Sequence, residues 1–215
     1  ASVLGCHSSQ IIFNSGSSEG ISHVFHALLD HQSSTDKKYI ITSGIEHSAV
    51  VQACNYYATK GFEVYRVPTL ENGQVNISDF SQFCEKNKGN IALTCIMAAN
   101  NETGVIQPWK EISTICQQFE IPFFSDTTQY IGKTDFNFEE SGMDYAVLSG
   151  HKVGALIGSG CIIAKDPSKL STFIFGGGQE KGKRGGTQNY IGAETMAVAL
   201  HSFDQHKESF KELTQ

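Results

Sequence analysis

Ile91-Ala92-Leu93-Thr94-Cys95-Ile96-Met97, then Pro108 with Ile112, Ile115, Cys116 and Phe119, then Pro122-Phe123-Phe124-Ser125, spell a strand, a helix and a second strand. The first run is apolar almost throughout, as in a strand buried on both faces. Pro108 suits a first helical position, and the four apolar residues after it fall on one helical face. A helix between two strands makes a crossover, so the strands pair in parallel.

The same alternation extends outward in both directions. Upstream, Ile11-Phe13, Tyr39-Thr42 and Phe62-Val67 are strand candidates. Between them lie a helix from Ser17 to about Leu29, with Ile21, Val24, Phe25, Leu28 and Leu29 on its apolar face, and a second carrying Val50, Val51, Cys54, Tyr57 and Ala58, stopped at Gly61. A turn at Asn72-Gly73 and a short helix near Ser78-Asn87 complete that half. Downstream come strands at Tyr145-Leu148 and Cys161-Ala164, a glycine-rich loop over Gly176-Gly186, and a helix from about Gln188 to His206. Val153 to Ala164, broken by glycines, is expected to be buried backbone. The fold class is α/β, with a mostly parallel sheet covered on both faces.

The chain of 215 residues fits one large domain or two small ones. Sixteen basic against twenty-two acidic residues leave a net charge of -6, and a pI near 5.7 argues against a nucleic-acid surface. No run reaches the ~20 apolar residues of a membrane span. Six scattered cysteines, none in a C-x-x-C pair, suit neither a zinc site nor a disulfide framework. Reduced thiols of a cytoplasmic or organelle-matrix protein are expected, and no metal site. With no initiator methionine, the chain reads as part of a longer one.

In such sheets ligands collect beyond the carboxyl ends of the strands, where the polar and glycine residues of interest fall. Asn14-Ser15-Gly16-Ser17-Ser18 joins a strand to a helix and suits an anion, or is a plain helix cap. Ser149-Gly150-His151-Lys152 places an amine able to form a Schiff base, or a solvated surface lysine. Asp126, at a strand end, can keep a heterocyclic nitrogen protonated, or cap a turn; Gln129 follows it. His47, after Glu46, can stack on a flat ring or shuttle protons, or begin a helix. Asn100-Asn101-Glu102-Thr103-Gly104 offers side-chain amides, or a simple loop.

Taken in order, Glu46-His47-x-x-Val50, Asn100-Asn101-Glu102-x-Gly104, Asp126-x-x-Gln129, Ser149-x-His151-Lys152, Gly176-Gly177-Gly178-Gln179-Glu180 and Arg184-Gly185-Gly186-Thr187-Gln188-Asn189 closely resemble one arrangement. It is that of the pyridoxal-phosphate-dependent cysteine desulfurases of the NifS/IscS type, in the class V aminotransferase family of fold-type I. The resemblance runs from about Ile11 to His206. It implies a three-layer α/β/α large domain with a mixed, mostly parallel sheet of about seven strands. Residues 1-215 would be that domain, with the family's N-terminal segment and C-terminal small domain lying outside it. The resemblance also implies conversion of L-cysteine to L-alanine, with the sulfur held as an enzyme persulfide and passed to acceptors such as an iron-sulfur scaffold.

The resemblance further implies residue roles. Lys152 would hold pyridoxal 5'-phosphate covalently, Asp126 would pair with the pyridinium nitrogen, and Gln129 would bond the ring hydroxyl. His47 would stack over the ring and act in catalysis. Asn101 would lie near the ring oxygen and substrate carboxylate. Ser17, Ser18, Ser149 and His151 would bind phosphate, and Thr187 would reach the phosphate of the other subunit of a homodimer. The chain departs from the family at Ser17-Ser18, where Ala-Thr is usual, and at Val153-Gly154-Ala155-Leu156, which lacks the usual proline. The family's nucleophilic cysteine and its carboxylate-gripping arginine fall beyond Gln215, so all six cysteines are expected to be packed thiols. A selenocysteine lyase shares nearly all these motifs, and a cofactor-free dimer scaffold that docks partners is the alternative from another class.

Overall fold

The segment that decides the fold forms the middle of the sheet. In the computed structural model, which describes residues 1–30 and 38–212, β4 is Ile91–Cys95, α4 is Trp109–Gln118 and β5 is Phe123–Asp126. The pairing of β4 with β5 is parallel. Around them stand β1 (Ile11–Asn14), β2 (Tyr39–Ser43), β3 (Glu63–Val67), β6 (Tyr145–Ser149) and β7 (Gly160–Ala164). The spatial order is β1-β7-β6-β5-β4-β2-β3. Six strands point the same way, and β7 alone is reversed, running antiparallel to both β6 and β1.

The helices are α1 (Ser17–Leu29), α2 (Ser48–Thr59), α3 (Ile77–Lys86), the single turn α5 (Phe138–Ser141) and α6 (Tyr190–Glu212). Two apolar clusters fill the two faces of the sheet. Ile21, Val24 and Phe25 of α1 pack with Val50 and Cys54 of α2 on Ile40, Leu93, Phe124, Val147 and Ile162. On the other face Phe80, Cys84, Ile112 and Cys116 meet Ile41, Ile91, Phe123, Ala146 and Ile163. Neighbouring strand residues such as Phe123 and Phe124 therefore serve opposite layers, as a two-residue repeat requires. Phe25 is fully buried and sets its ring edge-on to Phe124 at 6.3 Å, burial worth about 1.5–3 kcal/mol. Gly20 lets α1 approach the sheet closely, since a Cβ there would lie 2.8 Å from Val147 Cγ1.

Most of the expected elements appear within a few residues. Pro108 is the cap before α4 rather than its first residue, and β4 stops at Cys95, short of Met97. The stretch Val153 to Ala164 divides: β7 is buried throughout, but Leu156 and Ile157 are 51% and 81% exposed. Glycines there turn the chain outward before β7 begins, so burial is confined to the strand. Among the described residues, no helix is long and apolar enough to cross a membrane.

Candidate functional site

Because β1 and β6 both run antiparallel to β7, β1 points the same way as the parallel strands. The carboxyl ends of β1, β2, β4, β5 and β6 therefore share one edge. The segments at that edge are Asn14–Ser18, Ser43–Ser48, Ile96–Asn101, Asp126–Gln129 and Ser149–Lys152.

Three hydroxyls meet there. The Ser17 amide donates to Ser149 Oγ at 2.8 Å, and the Ser149 hydroxyl donates to Ser17 Oγ at 2.9 Å. Ser17 Oγ shares a hydrogen bond with Thr128 Oγ1 at 2.5 Å. All three residues are buried. They gather against the first turn of α1, to which Ser17 belongs, where backbone amides lack helical partners and the dipole is positive. Gly16 keeps the approach open: it lies at φ 146°, and a Cβ there would come 3.2 Å from Ser149 Oγ. Neutral donors around a helix start form a cradle for an oxyanion such as a phosphate monoester.

Asp126 closes β5 beside this cradle. Its carboxylate is buried and accepts the Thr128 amide at 3.0 Å, while its carbonyl accepts from Ala98 at 3.0 Å. A buried carboxylate is costly without a counter-charge, and a protonated ring nitrogen supplies one. The register places Asp126 opposite Val147 of β6. Five residues past Val147, Lys152 ends the 3-10 turn Gly150–Lys152, so acid and amine leave adjacent strands at the same edge. Lys152 and His151 are exposed, and Gln129 is half-buried.

His47 caps α2, and its Nδ1 accepts the Ala49 amide at 3.2 Å. In the neutral ring that bond leaves the proton on Nε2. His47 and Ser18 line a cleft of about 600 Å³ between α1 and α2 with Ser22, Gln52, Tyr56 and Phe173, so Ser18 faces away from the cluster that Ser17 joins. Asn101 is exposed and bonds Glu102 at 2.6 Å. Thr187 lines a different cleft, of about 790 Å³, with Phe13, Ser15, Ser159, Glu180 and Arg184. It is not grouped with the cradle.

Two residues to which the sequence assigned no role hold the edge together. Thr128 is the third hydroxyl of the cradle; its signal was a hydroxyl two places after a strand-end carboxylate. Glu46 is buried, accepting from the Met97 amide at 3.1 Å with both oxygens and from the Ser43 hydroxyl at 2.6 Å. Burial pushes its carboxyl up to about 8, with the nearby Asp126 charge adding to the rise. Asn100 answers from the other side, donating to the Ile45 carbonyl at 2.8 Å. The loops bearing His47 and Asn101 are thus clasped twice. All six cysteines are free thiols, five of them buried.

Residues 1–208 match the family model described as aminotransferase class-V. The cysteine desulfurase IscS of Dictyoglomus turgidum is 35% identical over 99% of this chain and 54% of its own length. The cysteine desulfurase IscS of Rickettsia prowazekii is 38% identical over 87% of this chain and 45% of its own length. The chain thus spans about half the length of these relatives. Among solved structures, a NifS-like protein superposes with a TM-score of 0.92 at 34% identity, covering 97% of this chain and 57% of that one. A structure described as SspA in complex with cysteine gives 0.85 at 33% identity, covering 94% and 57%.

Proposed function

The chain belongs to the aminotransferase class-V family, and from that premise we propose that it is the cofactor-binding part of a cysteine desulfurase using pyridoxal 5'-phosphate. The observation that carries this reading is the hydroxyl cluster of Ser17, Thr128 and Ser149 at the start of α1, with buried Asp126 beside it. A phosphate needs such neutral donors, and a cationic ring nitrogen needs such an acid.

When bound, the cofactor supplies an electron sink for the carbon next to the substrate's amino group. Ser17, Ser149 and Thr128 would hold its phosphate with the first-turn amides of α1, that of Ser18 among them, aided by His151. Asp126 keeps a proton on the ring nitrogen, because its negative charge stabilises the cation. Lys152 would hold the cofactor at its carbonyl carbon, and its amine would move protons during the reaction. His47 covers the ring, while Gln129 and Asn101 bond the ring oxygen, Asn101 also facing the substrate carboxylate. Thr187 serves the partner protomer's phosphate in a homodimer. L-cysteine is the substrate and L-alanine the product; the sulfur leaves on an enzyme thiol for acceptors such as an iron-sulfur scaffold. Six free thiols support a reducing, cytoplasmic location.

Titration of the chain with pyridoxal 5'-phosphate, followed by borohydride reduction and peptide mapping, tests the cofactor reading. A visible band, with the reduced adduct on Lys152 and absent from Lys152→Ala, is the expected result. An adduct spread over surface lysines, or no band, would overturn it. Alanine release from L-cysteine by the whole protein tests the reaction.

A further inference from the structure

Lys133 takes no part in the roles above, yet it reaches the residue that carries the reactive amine. It sits in a tight turn leading away from β5. The Tyr130 and Ile131 amides donate to the Thr127 carbonyl at 2.9 and 3.0 Å, and those of Lys133 and Thr134 to the Tyr130 carbonyl, both at 3.2 Å. Gly132, at φ 76°, presses this turn onto the residue after Lys152: a Cβ there would lie 2.6 Å from Val153 Cγ1. From that position Lys133 Nζ donates to the Thr128 carbonyl at 3.4 Å and to the Lys152 carbonyl at 3.3 Å.

One ammonium thus joins the backbone of the cradle to the backbone of Lys152. Desolvation of the amine, with the Lys152 cation close by, holds Lys133 below the ordinary lysine range. Lys133 is itself exposed, so its placement rests on the two carbonyl contacts and on the packing of Gly132 against Val153. Downstream, the Leu156 amide donates to Thr195 Oγ1 at 3.3 Å and the Ser159 hydroxyl to the Leu156 carbonyl at 2.7 Å. Val153 and Ala155 donate to the Gly150 carbonyl at 3.0 and 2.9 Å, and the chain then runs into exposed Leu156 and Ile157.

We propose that Lys133 is a positioning residue for Lys152, tying the base of that side chain to Thr128 and so to the loop that begins at Asp126. The proposal rests on the cofactor reading only in taking Lys152 as the reactive amine. An amine carried on a base free to swing loses its approach to a fixed reaction partner, and a shift of ~1 Å can cost ~100-fold.

The test compares Lys133→Met and Lys133→Arg with the unaltered full chain by two readouts. In the first, without cofactor, Lys133→Met is expected to speed amide exchange at Val153 and Ala155 by about tenfold while the β6 amides keep their rates. In the second, pyridoxal 5'-phosphate titration is expected to show capture by Lys152 weakened by ~10–100-fold in Lys133→Met. Lys133→Arg, which keeps the cation and its donors, is expected to recover most of both. If Lys133→Met fails to fold, Lys133→Gln gives the same comparison. Unchanged exchange at Val153 and Ala155 would overturn the proposal, as would unchanged capture in a variant whose exchange had risen. If the unaltered chain captures no cofactor, the function proposed above fails, and the exchange readout alone still decides the role of Lys133.

Discussion

The amide of Ser17 and the hydroxyl of Ser149 meet at 2.8 Å across 132 residues of sequence. That contact joins the start of α1 to the end of β6 and fixes the cradle from both sides. Its strength comes from burial, where a lost partner is not replaced by water.

Ser149→Ala removes the acceptor of the Ser17 amide and one donor to Ser17 Oγ together. Leaving a buried amide unpaired costs about 1–3 kcal/mol, so the denaturation midpoint should fall while the fold persists. Binding of pyridoxal 5'-phosphate should weaken by at least ~10-fold, the equivalent of about 1.4 kcal/mol. Inorganic phosphate should compete with the cofactor in the unaltered chain and much less in the variant. Equal phosphate competition in both would remove the cradle from the account.

Why the fold could be read and parts of the site could not has a physical cause. Strands buried on both faces, such as Ile91–Cys95 and Tyr145–Ser149, are apolar at four of their five positions, and α1 must carry Ile21, Val24 and Phe25 on one face. Those patterns survive without knowledge of neighbours. The role of Thr128 does not, because a threonine after a strand-end aspartate is equally at home in any turn; only the arrival of Ser17 from β1's end gives it work. Glu46 was overshadowed by His47 beside it. Lys133 gave no local sign, since its partners are carbonyls of residues 128 and 152 and carbonyls are present everywhere. The exposure of Leu156 and Ile157 was missed because composition alone does not distinguish a buried apolar segment from one turned outward by glycines.

Glu46 predicts a pH effect of definite sign. Its carboxyl rises from the ordinary 4.5 to about 8 in the folded chain, through burial. Between those values the folded protein holds a proton that the unfolded chain has released, so this group makes stability fall as pH rises, by at most about 1.4 kcal/mol per unit. Glu46→Gln keeps an acceptor for Met97 and Ser43 but cannot ionise. Its stability should be flatter than that of the unaltered chain from pH 4.5 to 8, with the difference largest at the alkaline end. Glu46→Ala should instead lose about 1–3 kcal/mol even at low pH, because the Met97 amide is left unpaired. Denaturant melts at several pH values distinguish the two. Parallel pH profiles for the unaltered chain and Glu46→Gln would show the carboxyl to be ionised throughout.

Arg184 and Glu19 form a two-pronged ion pair, at 2.8 Å from Nε to Oε1 and 3.2 Å from the terminal nitrogen to Oε2. Glu19 also accepts the Ser15 amide at 3.0 Å. The pair ties the glycine-rich loop to the first turn of α1, next to the cradle. Burial alone would raise the Glu19 carboxyl; the bonds from Arg184 and Ser15 outweigh it and hold the group below its ordinary 4.5. A carboxylate lowered in this way stabilises the fold above that value and loses its contribution as pH falls through the folded pKa. Arg184→Ala should therefore cost about 1.5–3 kcal/mol near neutrality, as for a hydrogen bond to a charged group, and should flatten the acid limb of the stability curve. The freed loop should also be cut faster by trypsin at Lys181 and Lys183, by ~10-fold for each ~1.4 kcal/mol lost from local opening. An unchanged cutting rate, with the global stability lowered as expected, would show that the pair steadies α1 alone and that the loop is held by Glu180, which accepts the Phe13 amide at 2.9 Å.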